Sequence, residues 1–414
     1  MQYTRELLFS NLVDMMSLVV CAVYPSVNAA YRVKAKELGV SRTAVYDKLN
    51  GIELAVSEAM VRETAKEMAS IIEAMESGLS DWVEGYQTRI TDGTCMAGTD
   101  HRLEVLHSTA AKALPGKSLV VFDPKLKLVR DVFLCEDGHG QERTLFPQWL
   151  ATVEAQQLWI ADRNMSTLGV LLGLDERQAT FVIRQHKSLP WQAVSELKHI
   201  GTSETGAVFE QAITIRQQTQ VLSLRRVVVQ LVQPTRDGES EIALLTTLPS
   251  AVADALKVAE LYRRRWTIET LFQTIQAQLN GEIQTLSYPP AALFAFCLAL
   301  VTANLLAVVQ AALGWVHGVG KVEAGIFLYY LVNEVQATYR GMMIAVEPSA
   351  WRNFATGSSQ QLLITLHQLA TQVHLASFLK QPRAAKKPKP RPKRDPKQGH
   401  VSTQRLLQKK KNAP

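Results

Sequence analysis

The chain has 414 residues, of which 47% are hydrophobic and 20% charged, a balance that excludes a disordered chain and supplies core for two to four domains. Its formal charge of +7 is unevenly placed: from Lys380 onwards 13 Lys/Arg face one acid, Asp395, so the tail carries +12 and the remainder −5. Four cysteines, Cys21, Cys95, Cys135 and Cys297, stand far apart with no C-x-x-C pair, which argues against a disulfide framework or zinc module and fits a reducing cytoplasm.

Met1-Gln2-Tyr3-Thr4-Arg5-Glu6 opens the chain without a basic segment leading into a signal-type apolar core, so no secretory signal is expected. Apolar spacing at Leu7, Leu8, Leu12, Met15 and Met16 predicts an all-helical domain over residues 1–80. Within it, residues 31–49 have a helix-turn-helix pattern. Ala35 lets two helices cross, Gly39 permits a left-handed turn, Ser41 caps the next helix, and Val45 and Leu49 face inward. Arg42, Thr43, Tyr46 and Lys48 would then face a DNA duplex. A plain helical hairpin fits the same pattern.

Strand signals begin at Tyr86, and runs at 86–92, 118–123 and 126–134 precede a helical stretch at 143–155. Leu158 to Asp162 reads as a further strand, followed by a short helix after Ser166 and a strand at 179–184. This order predicts a mixed α/β sheet in which the first and fourth strands lie parallel, bringing Asp92 and Asp162 out at one edge. Residues 188–250 read as a β-rich insertion, with strands at 209–215, 227–232 and 242–245 and a turn at Arg236-Asp237-Gly238. The catalytic core is therefore expected as 81–187 and 251–378, with helix dominating after Pro249-Ser250.

Residues 283–320 contain no Asp, Glu, Lys or Arg, and 291–313 could span a bilayer. The expected form is instead a helix buried on all sides, started by Pro289-Pro290 and interrupted by Thr302, Asn304 and Gln310, so no membrane partner is expected. The tail, 379–414, is too rich in proline and lysine to pack and is expected to be disordered, serving either to grip phosphates or to solubilise.

Asp92 closes the strand-like run Thr88-Arg89-Ile90-Thr91, Asp162 closes the buried-looking run Leu158-Trp159-Ile160-Ala161, and Glu269 lies in a predicted long helix, where Tyr262, Arg265, Glu269 and Gln276 share one stripe beside Leu261, Ile268, Phe272, Ile275 and Leu279. Converging carboxylates repel unless a cation or proton offsets them, and hard oxygen ligands favour Mg²⁺, with phosphodiesters as the substrate. Arg265 can hold a phosphate bidentately and Tyr262 can donate to one or stack on a base. Asp100, Asp123 and Asp137 are weaker candidates, Asp123 because Asp-Pro commonly opens a turn. His101, Arg102, His139 and Cys95 lie close to these blocks without a stronger chemical signal.

Tyr262-Arg-Arg-Arg265-Trp-Thr-Ile-Glu269 resembles the Tyr-x2-Arg-x3-Glu-x6-Lys signature of the insertion-sequence-four branch of DDE-class prokaryotic transposases. The similarity extends through Asp92-Gly-Thr, Gly98 to Arg102, Pro115 to Asp123, Glu136 to Arg143 and Asp162-Arg-Asn164. This resemblance implies a ribonuclease H-like fold and a catalytic, metal-binding triad of Asp92, Asp162 and Glu269 with two Mg²⁺ ions, or Mn²⁺ in their place. It further implies cut-and-paste transposition, terminal inverted repeats and target DNA as partners, a dimer in the synaptic complex and a cytoplasmic, nucleoid-associated location. Tyr262 and Arg265 would contact DNA near the cleaved end. Gln276 replaces the signature lysine, removing a cationic phosphate contact for which Arg263 and Arg264 could compensate. A ribonuclease H-like nuclease without strand transfer, or a catalytically silent DNA-binding derivative, are the alternatives.

Overall fold

Five strands carry the central part of the structure: β1 (Gln87–Cys95), β2 (Lys117–Asp123), β3 (Leu128–Cys135), β4 (Gln157–Ala161) and β5 (Thr180–Arg184). They lie in the order β3-β2-β1-β4-β5, with β1, β2 and β3 antiparallel and β1, β4 and β5 parallel, which is the ribonuclease H-like arrangement. The computed structural model describes residues 7–107, 112–235, 237–326, 328–345, 357–373 and 375. The basic tail from Lys380 and Arg236 of the predicted turn lie outside the described residues.

Burial on both faces explains why these strands read as apolar runs rather than clean alternations. Along β4, Leu158 and Ile160 enter one core, while Trp159 and Ala161 enter the other. Val120 and Phe122 of β2 join the first core, and Leu119 and Val121 the second. Trp149 packs edge-on to Trp159, with ring centroids 5.0 Å apart.

The predicted helix at 143–155 is shorter than expected. A 3₁₀ turn, Glu142–Leu145, leads into α5 (Phe146–Leu150), and the chain then turns as the Thr152 hydroxyl donates to the Trp149 carbonyl at 2.8 Å. After β4 comes α6 (Leu168–Glu176), which covers the second core.

The insertion continues the same sheet. β6 (Gln192–Ala193), β7 (Lys198–Ser203), β8 (Gly206–Gln217), β9 (Gln220–Leu231) and β10 (Glu241–Thr246) extend it through an antiparallel β10–β5 pair to ten strands. Strands β6 and β7 carry no sequence signal because none of their residues is buried, leaving no apolar alternation.

The N-terminal helices are α1 (Phe9–Val20), α2 (Val27–Leu38), α3 (Arg42–Asn50) and α4 (Leu54–Ala74). Ser26 and Ser41 cap α2 and α3 by accepting the Ala29 and Ala44 amides at 3.2 Å. Gly39 ends α2 at φ +66°, the left-handed turn anticipated from its identity. Toward the C-terminus run α7 (Ala255–Arg264), α8 (Thr267–Ala277), α9 (Pro289–His317), α10 (Val319–Gly325), α11 (Leu328–Ala345) and α12 (Ser359–Gln372).

α9 is long and apolar enough to cross a membrane, yet 83% of its most apolar window is buried against the protein. Its buried Asn304 explains one interruption of the apolar run: Oδ1 accepts the Val129 amide at 2.7 Å and Nδ2 donates to the Val129 carbonyl at 2.9 Å. The side chain thus pairs both backbone groups of one residue on edge strand β3. Asn304→Leu should leave both groups without partners and cost about 2–4 kcal/mol, measurable as a lower midpoint in urea unfolding.

Candidate active site at the ends of β1 and β4

Parallel register is what positions the first two acids. Thr91 of β1 pairs with Ala161 of β4, so Asp92 and Asp162 each follow the last registered pair at the same end of neighbouring strands. Asp92 Oδ1 accepts the Gly93 amide at 3.1 Å, and Asp162 Oδ1 accepts the Asn164 amide at 2.8 Å, opening a 3₁₀ turn. Each carboxylate is thereby oriented by a backbone amide one or two residues further along the chain, Asp92 within β1 and Asp162 in the turn after β4.

Glu269 arrives from a helix that is broken, where the sequence predicts one continuous helix. At the junction of α7 and α8, Arg265, Trp266 and Ile268 donate to carbonyls three residues earlier, and the Thr267 hydroxyl donates to the Arg264 carbonyl at 2.6 Å. These tighter bonds separate the two segments. Buried Ile268 and Ile275 anchor α8 to the core and leave Glu269 half-buried at its rim.

Arg265, at the break, joins the acids. Its Nη1 donates to Asp92 Oδ2 at 2.6 Å and its Nη2 to Glu269 Oε1 at 3.0 Å. The Arg265 side chain is 10% exposed and its Nε has no hydrogen-bond partner. Tyr262, half-buried one turn earlier, packs 5.8 Å from the Arg265 guanidinium. Burial raises the Tyr262 phenol, so it stays a proton donor at neutral pH. Trp266, 60% exposed, presents its indole between Arg265 and Glu269 in sequence, a residue the stripe analysis did not single out.

A fourth acid enters from the 3₁₀ turn after β3. A Cβ on Gly93 would fall 2.5–2.7 Å from the three carboxyl atoms of Glu142, so this carboxylate rests against the bare Cα of the residue after Asp92. Asn164 Nδ2 donates to Glu142 Oε2 at 3.5 Å. Burial, then the charges of Asp162 and Asp92, push the Glu142 carboxyl up to about 7. Burial also pushes Asp92 up to about 6, with Arg265 opposing and Asp162 and Glu269 reinforcing the shift. The site thus gathers more negative charge than its arginine offsets.

The donors are of the kind a divalent cation takes: Asp92 and Glu269 share one guanidinium, Asp162 and Glu142 add negative charge beside Asp92, and the missing Cβ of Gly93 makes room for Glu142. Among the described residues, however, no three His, Cys, Asp or Glu side chains are gathered to hold a metal ion. Arg265, interposed between Asp92 and Glu269, accounts for this arrangement physically.

The other expected contacts are spread more widely. Arg263 pairs with Glu204 of the insertion, while Arg264 stacks on Trp82 at 3.9 Å. Gln276 is exposed near the far end of α8 and approaches Glu282 at 3.4 Å. Arg42 and Thr43 are exposed on α3, with Arg42 reaching Asn28 at 3.4 Å. Tyr46 is half-buried, and Lys48 donates to the Leu7 carbonyl at 2.8 Å, a tether within the helical domain.

Asp123, the weaker acidic candidate, is buried in a 2.9 Å pair with Arg89 and accepts the Lys125 and Leu126 amides, so it serves the turn after β2. Asp100 pairs with Arg102 at 3.2 Å, and Asp137 accepts the His139 amide at 2.9 Å. Arg163, beside Asp162, pairs with Glu239 at 3.3 Å and ties the insertion to the end of β4.

Two acids thus stand side by side just past the register of adjacent parallel strands, with a third on a helix after the insertion, within a ribonuclease H-like fold. The family model described as Transposase DDE domain matches residues 84–305, and the chain belongs to that family. Comparison with curated proteins gives no match. Among solved structures, a piggyBac transposase synaptic complex with hairpin DNA, determined by cryo-EM, is similar at 11% identity and a TM-score of 0.38. The match covers 70% of this chain and 58% of that one.

Proposed function

We propose that this chain is a cut-and-paste transposase of the insertion-sequence-four branch, cutting and joining its element's ends by two-metal phosphoryl transfer on double-stranded DNA. Asp92, Asp162 and Glu269 would hold two Mg²⁺ ions, or Mn²⁺ in their place. The observation that carries this reading is the in-register emergence of Asp92 and Asp162 within the family-matched segment, with Arg265 linking Asp92 to Glu269. Bound divalent ions would supply activation of the attacking oxygen and charge relief at the leaving oxygen.

The protein's own groups account for the rest. A phosphate near the cut end competes with Asp92 and Glu269 for the Arg265 fork, drawing the guanidinium onto DNA and freeing both carboxylates. Tyr262, kept neutral by burial, donates to the same backbone, and the exposed Trp266 indole offers a stacking face. The exposure of Arg42 and Thr43 on α3 leaves them free to meet a duplex in a helix-turn-helix contact. Synapsis of two ends calls for a dimer at the working stage, and the DNA substrate places the protein at the nucleoid.

The test is incubation of the full chain with a duplex carrying its element's end and Mg²⁺, with cuts mapped to the nucleotide. Release of a 3′-hydroxyl at the end, followed by joining of pre-cleaved ends to a target plasmid, is the expected result. Cleavage without any joined product would reduce the protein to a nuclease, and cleavage in excess chelator would overturn the metal chemistry.

A further inference from the structure

We propose that the connection from β5 to β6, together with Arg163, is a phosphate-binding surface for duplex DNA beside the candidate active site, and that Glu239 of the insertion occupies it in the DNA-free protein. The inference rests on the DNA-directed reading above and adds a contact surface and its resting occupant to it.

Strand register puts this surface next to the acids. Thr91 of β1 pairs with Ala161 of β4, and Ala161 with Ile183 of β5, all in parallel, so Asp92, Asp162 and Arg184 stand in one row across three adjacent strands. Arg163 follows Asp162 directly, and Lys187 lies three residues beyond Arg184. Leu189, buried in the second core, anchors the connection. Farther along it, Trp191 is 40% exposed and carries the Arg226 guanidinium 4.9 Å from its ring centroid. Cations beside an exposed aromatic ring suit a nucleic-acid strand.

One carboxylate collects three of the cations. Glu239 Oε1 accepts from Arg163 Nη1 at 3.3 Å and pairs with Lys187 Nζ at 3.6 Å, while Oε2 accepts from Arg184 Nη2. The turn between β9 and β10 holds Glu239 in place: its amide donates to Thr235 Oγ1 at 3.1 Å, and its carbonyl accepts the Thr235 amide at 2.9 Å. Exposed Asp237 approaches Arg163 at 3.9 Å, and among the described residues no other acid pairs with these three cations. A phosphodiester matches this carboxylate, with one negative charge shared by two free oxygens, and takes an arginine fork in the same way. Lys187 is 88% exposed, which opens the cluster to a DNA backbone from solvent. A phosphate can therefore replace Glu239 without leaving the largely buried Arg184 unpaired.

The experiment is fluorescence anisotropy of a labelled duplex carrying the element's end, with the full chain in excess chelator over a series of salt concentrations. Binding without metal separates this surface from catalysis, and the basic tail, common to every chain compared, drops out of the differences. Lys187→Gln and Arg163→Gln should each lower the slope of log affinity against log salt by about 0.9, the release expected for one phosphate contact. Glu239→Gln keeps the side chain's shape, removes an acid facing the backbone, and should tighten binding by roughly 3–10-fold. That gain should vanish in a chain that also carries Lys187→Gln and Arg163→Gln, because the cations it would expose are gone.

Unchanged salt slopes in Lys187→Gln and Arg163→Gln, with the parent binding the duplex, would overturn the surface and leave the transposase reading standing. A parent chain that does not hold the duplex would overturn both. Weaker or unchanged binding by Glu239→Gln would show that the glutamate fastens the insertion to β4 and β5, and would overturn its role as occupant. Near-ultraviolet circular dichroism verifies that each variant is folded, and the solvent-exposed Lys187 gives a substitution free of folding cost.

Discussion

Asp162→Asn is expected to reduce end cleavage and strand joining by on the order of a thousandfold, equivalent to about 4 kcal/mol of transition-state stabilisation. The substitution isolates chemistry from folding. Asp162 opens its 3₁₀ turn by accepting the Asn164 amide through Oδ1, and asparagine retains an oxygen able to do the same. The thermal midpoint should therefore stay within about 2 °C of the parent, consistent with a stability change of a few tenths of a kcal/mol. The measurement compares single-turnover cleavage and joining of pre-cleaved ends at fixed Mg²⁺ with a melting curve of the same preparation. Activity within tenfold of the parent would remove Asp162 from the reaction. Loss of activity together with a large fall in midpoint would show that its role is to hold the turn.

Asp162 was legible because a strand buried on both faces prints an apolar run that stops at the acid; Asp92 was legible from the strand-like run before it, although β1 continues past it to Cys95 in its pairing with β2. Parallel register then sets the two acids at one edge. Glu269 was legible through its spacing from Tyr262 and Arg265. The break beneath that stripe was not, because it depends on a threonine hydroxyl capturing a carbonyl in competition with helical bonding. Glu142 was hidden for another reason: its place follows from close approach to Gly93, 49 positions earlier, which no local periodicity records. A glycine immediately after a candidate acid was the available hint. Asn304 shows the same dependence, since an interruption in an apolar run became a partner for edge strand β3 only once α9 was docked.

Metal-free protein should lose stability as pH rises from about 4.5 to about 7, and Glu142→Gln should remove part of that loss. The carboxyl's ordinary value is 4.5, and burial followed by the charges of Asp162 and Asp92 pushes it up to about 7 in the folded chain. Folded protein therefore binds this proton more tightly than unfolded protein, so protonation favours the folded state. The favourable contribution is complete below about 4.5 and disappears as pH passes about 7, where the buried anion must be carried by the fold. The shift corresponds to an upper figure of about 3 kcal/mol. Asp92, pushed up to about 6, contributes in the same direction while its pair with Arg265 partly offsets the cost. Urea unfolding in chelator across pH 4–8 should consequently show a shallower decline for Glu142→Gln, whose stability at pH 8 exceeds that of the parent. Parallel pH profiles for the two proteins in chelator would show that the Glu142 carboxylate is solvated and carries no such cost.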